Sequence, residues 1–454
     1  MISSCLRIAN AQGFWGDRPK AAARLLAADP AIDFVTLDYL AELTMSIMAA
    51  QRSKDATLGY ATDFPEVLRS LVPYWKAGGR ARVIANAGGM NPGSCAESCI
   101  RTLQREGLAG TRVGVVTGDD VTSLLRADAS HILFRNMETG EPLTMVLDRL
   151  ISANAYLGAA EAVALLDTGA EIVVTGRISD PSLTVAPCVH HFGWHWDNYE
   201  AIAGATVAGH LIECGSQVTG GISTDWLSLP KQPDLGFPIA EMEEDGSCII
   251  TKPEGTGGAV SACTIKEQLL YEIGDPARYL SPDVSVSLLG ISISEVSPNR
   301  VRVIGAGGVA RPPTLKVSAA YHAGWKSEAM VAVFGHQAGQ KARAAGELVL
   351  QRVADEGFLL QHSLLECIGN GDVVPGLFPP PADLRECILR IAVADIRREA
   401  VECFTKEIAP LVTSGPQGLT GYSGGRPKVR PVIAYWPCLI ERAMVQPRTE
   451  ILVA

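Results

Sequence analysis

The residues with the chemistry to act on a small molecule gather in the first half of the chain, each just behind an apolar, β-branched run. The segments CLRIANAQGFWGD (5–17), RVIANAGGMNP (82–92), RVGVVTGDD (112–120) and EIVVTGRISD (171–180) end in small, polar, glycine-rich turns. These turns carry Asn10, Asn86, Gly88, Gly89, Asn91, Asp119, Asp120, Arg177 and Asp180. Glycine behind a strand lets the backbone turn tightly and leaves N–H groups free to face a ligand. Asp119 and Asp120 stand beside an apolar sheet, where desolvation raises a carboxyl pKa and suits it to general acid or base work; the plain alternative is that one caps the next helix. Arg177 offers a planar fork for a substrate carboxylate, with Asp180 orienting it or moving a proton, or else the two form an internal ion pair that pins the loop. The NAGGMNP turn feeds a helix and is a candidate anion cradle, or a tight turn with a capping asparagine.

Further along, GHLIECGSQVTGG places His210 and Glu213 at i, i+3 on one helix face, with Cys214 adjacent. That spacing suits a base and its orienting carboxylate. It also suits two metal ligands, but no third or fourth stands nearby. The cluster HHFGWHW (190–196) reads as an aromatic packing corner, and Cys95 and Cys99 lack the second pair that a zinc or iron–sulfur site needs. No metal is expected. The loop SGPQGLTGYSGGRPKVRP (414–431) holds Arg426, Lys428 and Arg430, cations that suit a phosphate-bearing ligand such as coenzyme A, or the acidic face of a neighbouring subunit; a solvated hinge is the other reading. No GxGxxG fingerprint is present, so a nicotinamide dinucleotide is not expected. No cofactor is required by these residues, and a coenzyme A ester enters as a possible substrate.

These groups need a scaffold, and the first 230 residues alternate strands with helices. PKAAARLLAAD, AELTMSIMAAQR, PEVLRSLVPYWKAGG, GSCAESCIRTLQREG and GAAEAVALLDT read as helices between the apolar runs. This alternation implies βαβ units and a largely parallel, Rossmann-like sheet over 1–230, with its polar site at the carboxyl ends of the strands. Glycine and proline crowd 215–260, which reads as a domain crossover. Beyond it, VSVSLLGISISEV and RVRVIGA read as hairpin strands turning at SPNR. Strand-plus-helix units near MVAVFG and CILRIAVAD suggest an α+β, ferredoxin-like sandwich within 231–454.

With 454 residues, 47% hydrophobic and 19% charged, the chain has ample material for buried cores. Its net charge of −10 argues against nucleic acid and anionic membrane as partners. Apolar stretches are broken by charge well short of a membrane span, and MISSCLRIANAQ has no basic, then apolar, leader pattern. The 11 cysteines are scattered and odd in number, as in a reducing compartment, so a cytoplasmic location is expected.

Taken together, ANAQGFWGDRP, LDYLAELTMSIM, NAGGMNP, VTGRISD, GHLIECGSQVTGG, EQLLYEIGDPARYLSPDV and LTGYSGGRPKVRP resemble the acyclic terpene utilisation AtuA family nearly end to end. In that family's pattern an acidic residue usually stands where this chain has His191. The resemblance implies work in the degradation of branched terpenoid acids as coenzyme A esters, through carboxylation, hydration and carbon–carbon cleavage. It also implies a small protein partner, because family members carry an extra C-terminal domain or are similar to proteins that act with a separate small subunit. The expected function is a lyase or hydratase acting on a branched carboxylate-bearing small molecule or its coenzyme A ester, within a homo-oligomer. In that account Arg177 holds the carboxylate, the NAGGMNP backbone cradles a second anion, and Asp120 or His210 moves the proton. The alternatives are a non-catalytic scaffold subunit, and acyl or coenzyme A transfer with Glu213, Cys214 or Glu267 as nucleophile.

Overall fold

The computed structural model describes residues 5–377, 379–381, 383–421 and 425–454. Its first six strands are β1 (Cys5–Asn10), β2 (Phe34–Leu37), β3 (Arg82–Ala85), β4 (Arg112–Thr117), β5 (Leu150–Ala155) and β6 (Ile172–Thr175). All but β5 lie side by side and parallel, in the order β1-β2-β3-β6-β4. The reason is burial on both faces: Val83, Ile84, Ile172, Val173, Val35 and Leu37 are wholly enclosed, and a parallel sheet needs helices on each side to enclose them. Helices such as Ala21–Ala28, Phe64–Lys76 and Pro92–Arg105 supply that cover. Leu68, Leu71, Cys95, Cys99 and Leu103 pack with the strands into one core.

The glycine- and proline-rich stretch 215–260 is not irregular throughout. It contains β7 (Ile239–Glu243) and β8 (Cys248–Thr251), which extend the sheet antiparallel from β1. Two short strands meeting at a tight turn tolerate glycine on either side of them, which is why composition alone read this region as a break. Next come β9 (Tyr279–Leu280), β10 (Ser285–Ser287), β11 (Ser292–Ser297), β12 (Arg300–Ile304) and β13 (Gly307–Val309). The expected hairpin is β11–β12, with Asn299 in the left-handed region at its turn, and it continues the sheet beyond β8. β9, β10 and β13 make a separate small sheet.

The remaining strands are β14 (Thr314–Phe334), β15 (His362–Ile368), β16 (Glu386–Asp395), β17 (Leu419–Thr420), β18 (Arg430–Glu441) and β19 (Arg448–Val453). The chain divides into two compact units, 1–319 with 435–454, and 320–434. It enters the second along β14 and leaves it along β18, and β19 then pairs antiparallel with β4. The glycine- and proline-rich stretch 215–260 lies inside the first unit. In the second unit the sheet order is β15-β16-β14-β17, all antiparallel. The helices Ala338–Asp355 and Arg398–Ile408 cover one face, where Val331, Val333, Leu389, Ile391 and Phe404 form the core.

Candidate active site

The carboxyl ends of β4 and β6 are shaped by two glycines. Gly118 has φ +96°, and a Cβ there would lie 2.3 Å from the Gln446 carbonyl oxygen, so only glycine makes this turn. The turn sends Asp119 inward, where it is 3% exposed, and Asp120 outward. Asp119 Oδ2 accepts the Arg177 backbone N–H at 2.9 Å and the Asn154 amide at 2.8 Å. A Cβ on Gly176 would fall 2.4 Å from Asp119 Oδ1. Desolvation pushes the Asp119 pKa up to about 6, against the pull of those two hydrogen bonds. Asp120 is exposed; its Oδ1 accepts the Thr122 N–H at 3.0 Å from the residue before the helix cap Val121.

Arg177 is 2% exposed and lies 4.0 Å over the Tyr156 ring. Its Nη1 donates to the Leu40 carbonyl and to Asp180 Oδ1, both at 3.0 Å, so the internal ion pair forms. Round this one guanidinium stand several carboxyls. Asp38, at the mouth of β2, accepts the Asn86 amide at 2.6 Å; burial and then the nearby Asp180 hold its pKa well above the usual range. Burial and the same aspartate hold Glu213 well above it too. Asp180 is raised by burial, with Arg177 pulling the other way. Glu42 goes down instead: burial opposes ionisation, but the Tyr156 hydroxyl donating to it at 2.6 Å and the Arg177 charge outweigh that. One cation cannot balance Asp38, Asp180 and Glu213 together, so this group retains protons where free carboxyls would have lost them, and it titrates as a unit.

His210, on the helix Tyr199–Ile212, places Nδ1 3.0 Å from Glu213 Oε1. Burial lowers the His210 pKa while Glu213 is raised, so both directions favour a neutral pair sharing one hydrogen. His210 also lies against the Leu269 and Gln268 carbonyls, which pull its pKa up against the effect of burial. Among the described residues Arg177 Nε, Glu213 Oε2, Gln12 Oε1, Asn154 Oδ1 and Gln268 Oε1 are buried without a hydrogen-bond partner. Each such atom costs about 1–3 kcal/mol when left unpaired, and several together call for polar company from outside the chain.

Other candidates are committed elsewhere. Asn10 is saturated: its amide donates to the Gln12, Ile212 and Glu213 carbonyls and its oxygen receives Thr36, which ties β1 to the end of the His210 helix. Asn86 braces Tyr39 and Asp38. In the NAGGMNP turn the Gly89 and Asn91 N–H groups donate to Asn86 and Gly88 within the turn, Met90 N–H donates to the Gly59 carbonyl, and Asn91 caps the following helix by accepting from Ser94, so three of the cradle's donors are engaged by the protein. At Gly88 a Cβ would lie 2.5 Å from the Thr175 carbonyl; at Gly89 it would meet Met48 sulfur. Arg426 and Lys428 belong to the second unit. His190 pairs with Asp167 at 2.6 Å and Phe192 stacks on Trp194 at 5.1 Å, the packing-corner arrangement. Among the described residues no group of His, Cys, Asp and Glu is placed to hold a metal. A cavity of 880 Å³ lies at the amino ends of β2 and β3, beside Asp33, Phe34 and Arg82.

Sequence reasoning missed Asp38, Glu42, Tyr156, Gln12, Asn154 and Gln268. Asp38 had a signal, since it ends the apolar run FVTL much as Asp119 ends RVGVVT, but no glycine flags it. Asn154 and Tyr156 arrive through β5, whose end bridges Asn154 to Asp120 and Leu157 to Ile178.

A family model, the acyclic terpene utilisation family protein AtuA, matches residues 6–451, and the chain belongs to that family. No curated protein and no solved structure matches it.

Proposed function

We propose, with that membership as premise, that the protein is a lyase of hydratase type acting on a branched carboxylate-bearing small molecule or its coenzyme A ester. The observation that carries the reading is the pair of unpartnered buried atoms on Arg177 and Glu213, the latter joined to His210, within a group of carboxyls that keep protons. Adding or removing water beside a carbonyl needs a group that takes a proton from one side and returns it at another. The His210–Glu213 pair does the first, and Asp38 with Asp180 holds the second proton. Arg177, steadied by Asp180 and Tyr156, keeps one guanidinium nitrogen without a partner among the described residues, and in this reading it faces the developing negative charge. Asp120 has no part in this mechanism.

The five parallel strands serve as a Rossmann-like base for the site, and 320–434 is read as a ferredoxin-like sandwich on the strength of its β-α-β-β-α-β order. No helix among the described residues is long and apolar enough to cross a membrane, and the scattered cysteines favour the cytoplasm. A small protein subunit and self-assembly belong to the same reading.

A panel of branched hydroxy and unsaturated acids, free and as coenzyme A esters, screened by thermal shift and then for turnover, tests it. Turnover of a hit should collapse in both Glu213→Gln and His210→Asn; unchanged turnover in both would remove the assignment. A second reading, a non-catalytic scaffold, is favoured by the 3.0 Å Arg177–Asp180 pair. It requires that no acid or ester in the panel binds and that a small protein co-purifies.

A further inference from the structure

The second unit carries its own concentration of charge. On β14, β16 and β15 the residues alternate strictly: Ala329, Val331, Leu389, Ile391 and Val393 face the helices. Lys326, Glu328, Met330, Leu364, Ala392 and Ala394 therefore face the other side, in register as Lys326–Ala394–His362 and Glu328–Ala392–Leu364. Over this face lies the segment Gly425–Arg430, and the two enclose a cavity of 770 Å³. Its floor carries apolar side chains, Met330 48% and Leu364 44% exposed, with Glu328 and His362 on the same face. Its rim is cationic.

Lys326, Arg426, Lys428 and Arg430 all line it, and among the described residues none of the four forms an ion pair. Among the described residues one carboxylate lines it, Glu328, which shares Arg390 with Glu366 at 2.9 and 3.1 Å. By sequence the unit holds 12 Lys and Arg against 12 Asp and Glu, so apart from these four cations it is acidic, and the whole chain is at −10; an unpaired positive rim is not a by-product of overall charge. Like charges held close repel unless an anion sits among them. A lone carboxylate would engage one or two of these side chains; four call for a ligand with two or more negative charges, such as a phosphoester or pyrophosphate.

We propose that this cavity binds a phosphorylated small molecule with an apolar arm: phosphates between Lys326, Arg426, Lys428 and Arg430, the arm along Met330, Leu364 and Ala392. The site stands on the geometry of the second unit alone and holds whether or not the first unit catalyses a hydration.

Titration calorimetry on the full chain at low salt, with inorganic pyrophosphate, ADP and coenzyme A as probes, tests it. All three should bind, coenzyme A tightest because only it brings a long, less polar arm, and added salt should weaken each. Arg426→Ala and Lys428→Ala should each weaken binding about tenfold, the loss of one charge-assisted contact. Lys406→Ala, on the helix Arg398–Ile408, should leave it unchanged. The variants should melt with the parent, because these side chains are exposed. Absence of binding by all three probes overturns the site, as does equal binding in Arg426→Ala and Lys428→Ala. Equal affinity for ADP and coenzyme A overturns the apolar arm. Binding of polyglutamate with none of the phosphates overturns the proposal in favour of an acidic protein surface.

Discussion

Two regions gather ionisable groups and use them in opposite ways. At the mouths of β2, β4 and β6 the groups are enclosed, mostly acidic and held around one arginine. On the open face of the second unit they are cationic and solvated. Enclosure turns proximity into shifted proton affinities, because a low dielectric magnifies both the cost of charge and the pull of neighbours. Solvent damps the same terms to little. The first region is therefore suited to moving protons, the second to attracting a ligand that already carries its charge.

The contrast can be broken at its strongest point first. In the enclosed region Glu213→Gln or His210→Asn should lower turnover of an identified substrate by about a hundredfold or more, the ordinary weight of a positioned acid or base. Next in size is a pH effect. Asp119 ionises near 3.8 in the unfolded chain and at about 6 in the fold. The fold thus prefers the protonated form, and stability is greatest below the lower value. It declines as pH rises between them and has fallen by about 3 kcal/mol once the pH passes the upper one. Asp38, Asp180 and Glu213 shift in the same direction and deepen the decline. Thermal melts across this window should show it, and Asp119→Asn should flatten the curve; a stability that rises over the same window would refute the account. Gly118→Ala must fit a side chain at φ +96° against a carbonyl, which should cost about 1–3 kcal/mol in a urea melt. Smallest is Asp120→Ala: loss of its contact with the Thr122 N–H should cost about 1 kcal/mol or less and leave turnover alone. A large loss of turnover there would erase the distinction between the two adjacent aspartates.

Much of this is visible in the sequence, for identifiable reasons. Runs such as RVGVVT and EIVVT are enclosed on both faces, so their β-branched composition marks them, and the turns behind them mark the polar crown. Arg177, Asp180, His210 and Glu213 stand out because their spacing is local. Which of Asp119 and Asp120 points inward depends on a left-handed glycine and a tertiary clash with Gln446, which no local pattern encodes. Asp38, Tyr156 and Gln268 come from distant segments, and β7 and β8 are short strands in a stretch whose composition resembles a loop. The donors of the NAGGMNP turn look available in sequence, and only the fold reveals that those of Gly89, Met90 and Asn91 are engaged by the protein.

The strand that completes the main sheet beside β4 is translated only after the whole of 320–434 has been made. During synthesis, then, β4 waits with one edge bare while an entire second globule emerges. Prompt collapse of that inserted globule would bring the closing strand within reach of β4. A lesion that slows it would show first as aggregation of the newly made chain through β4, with its own core intact.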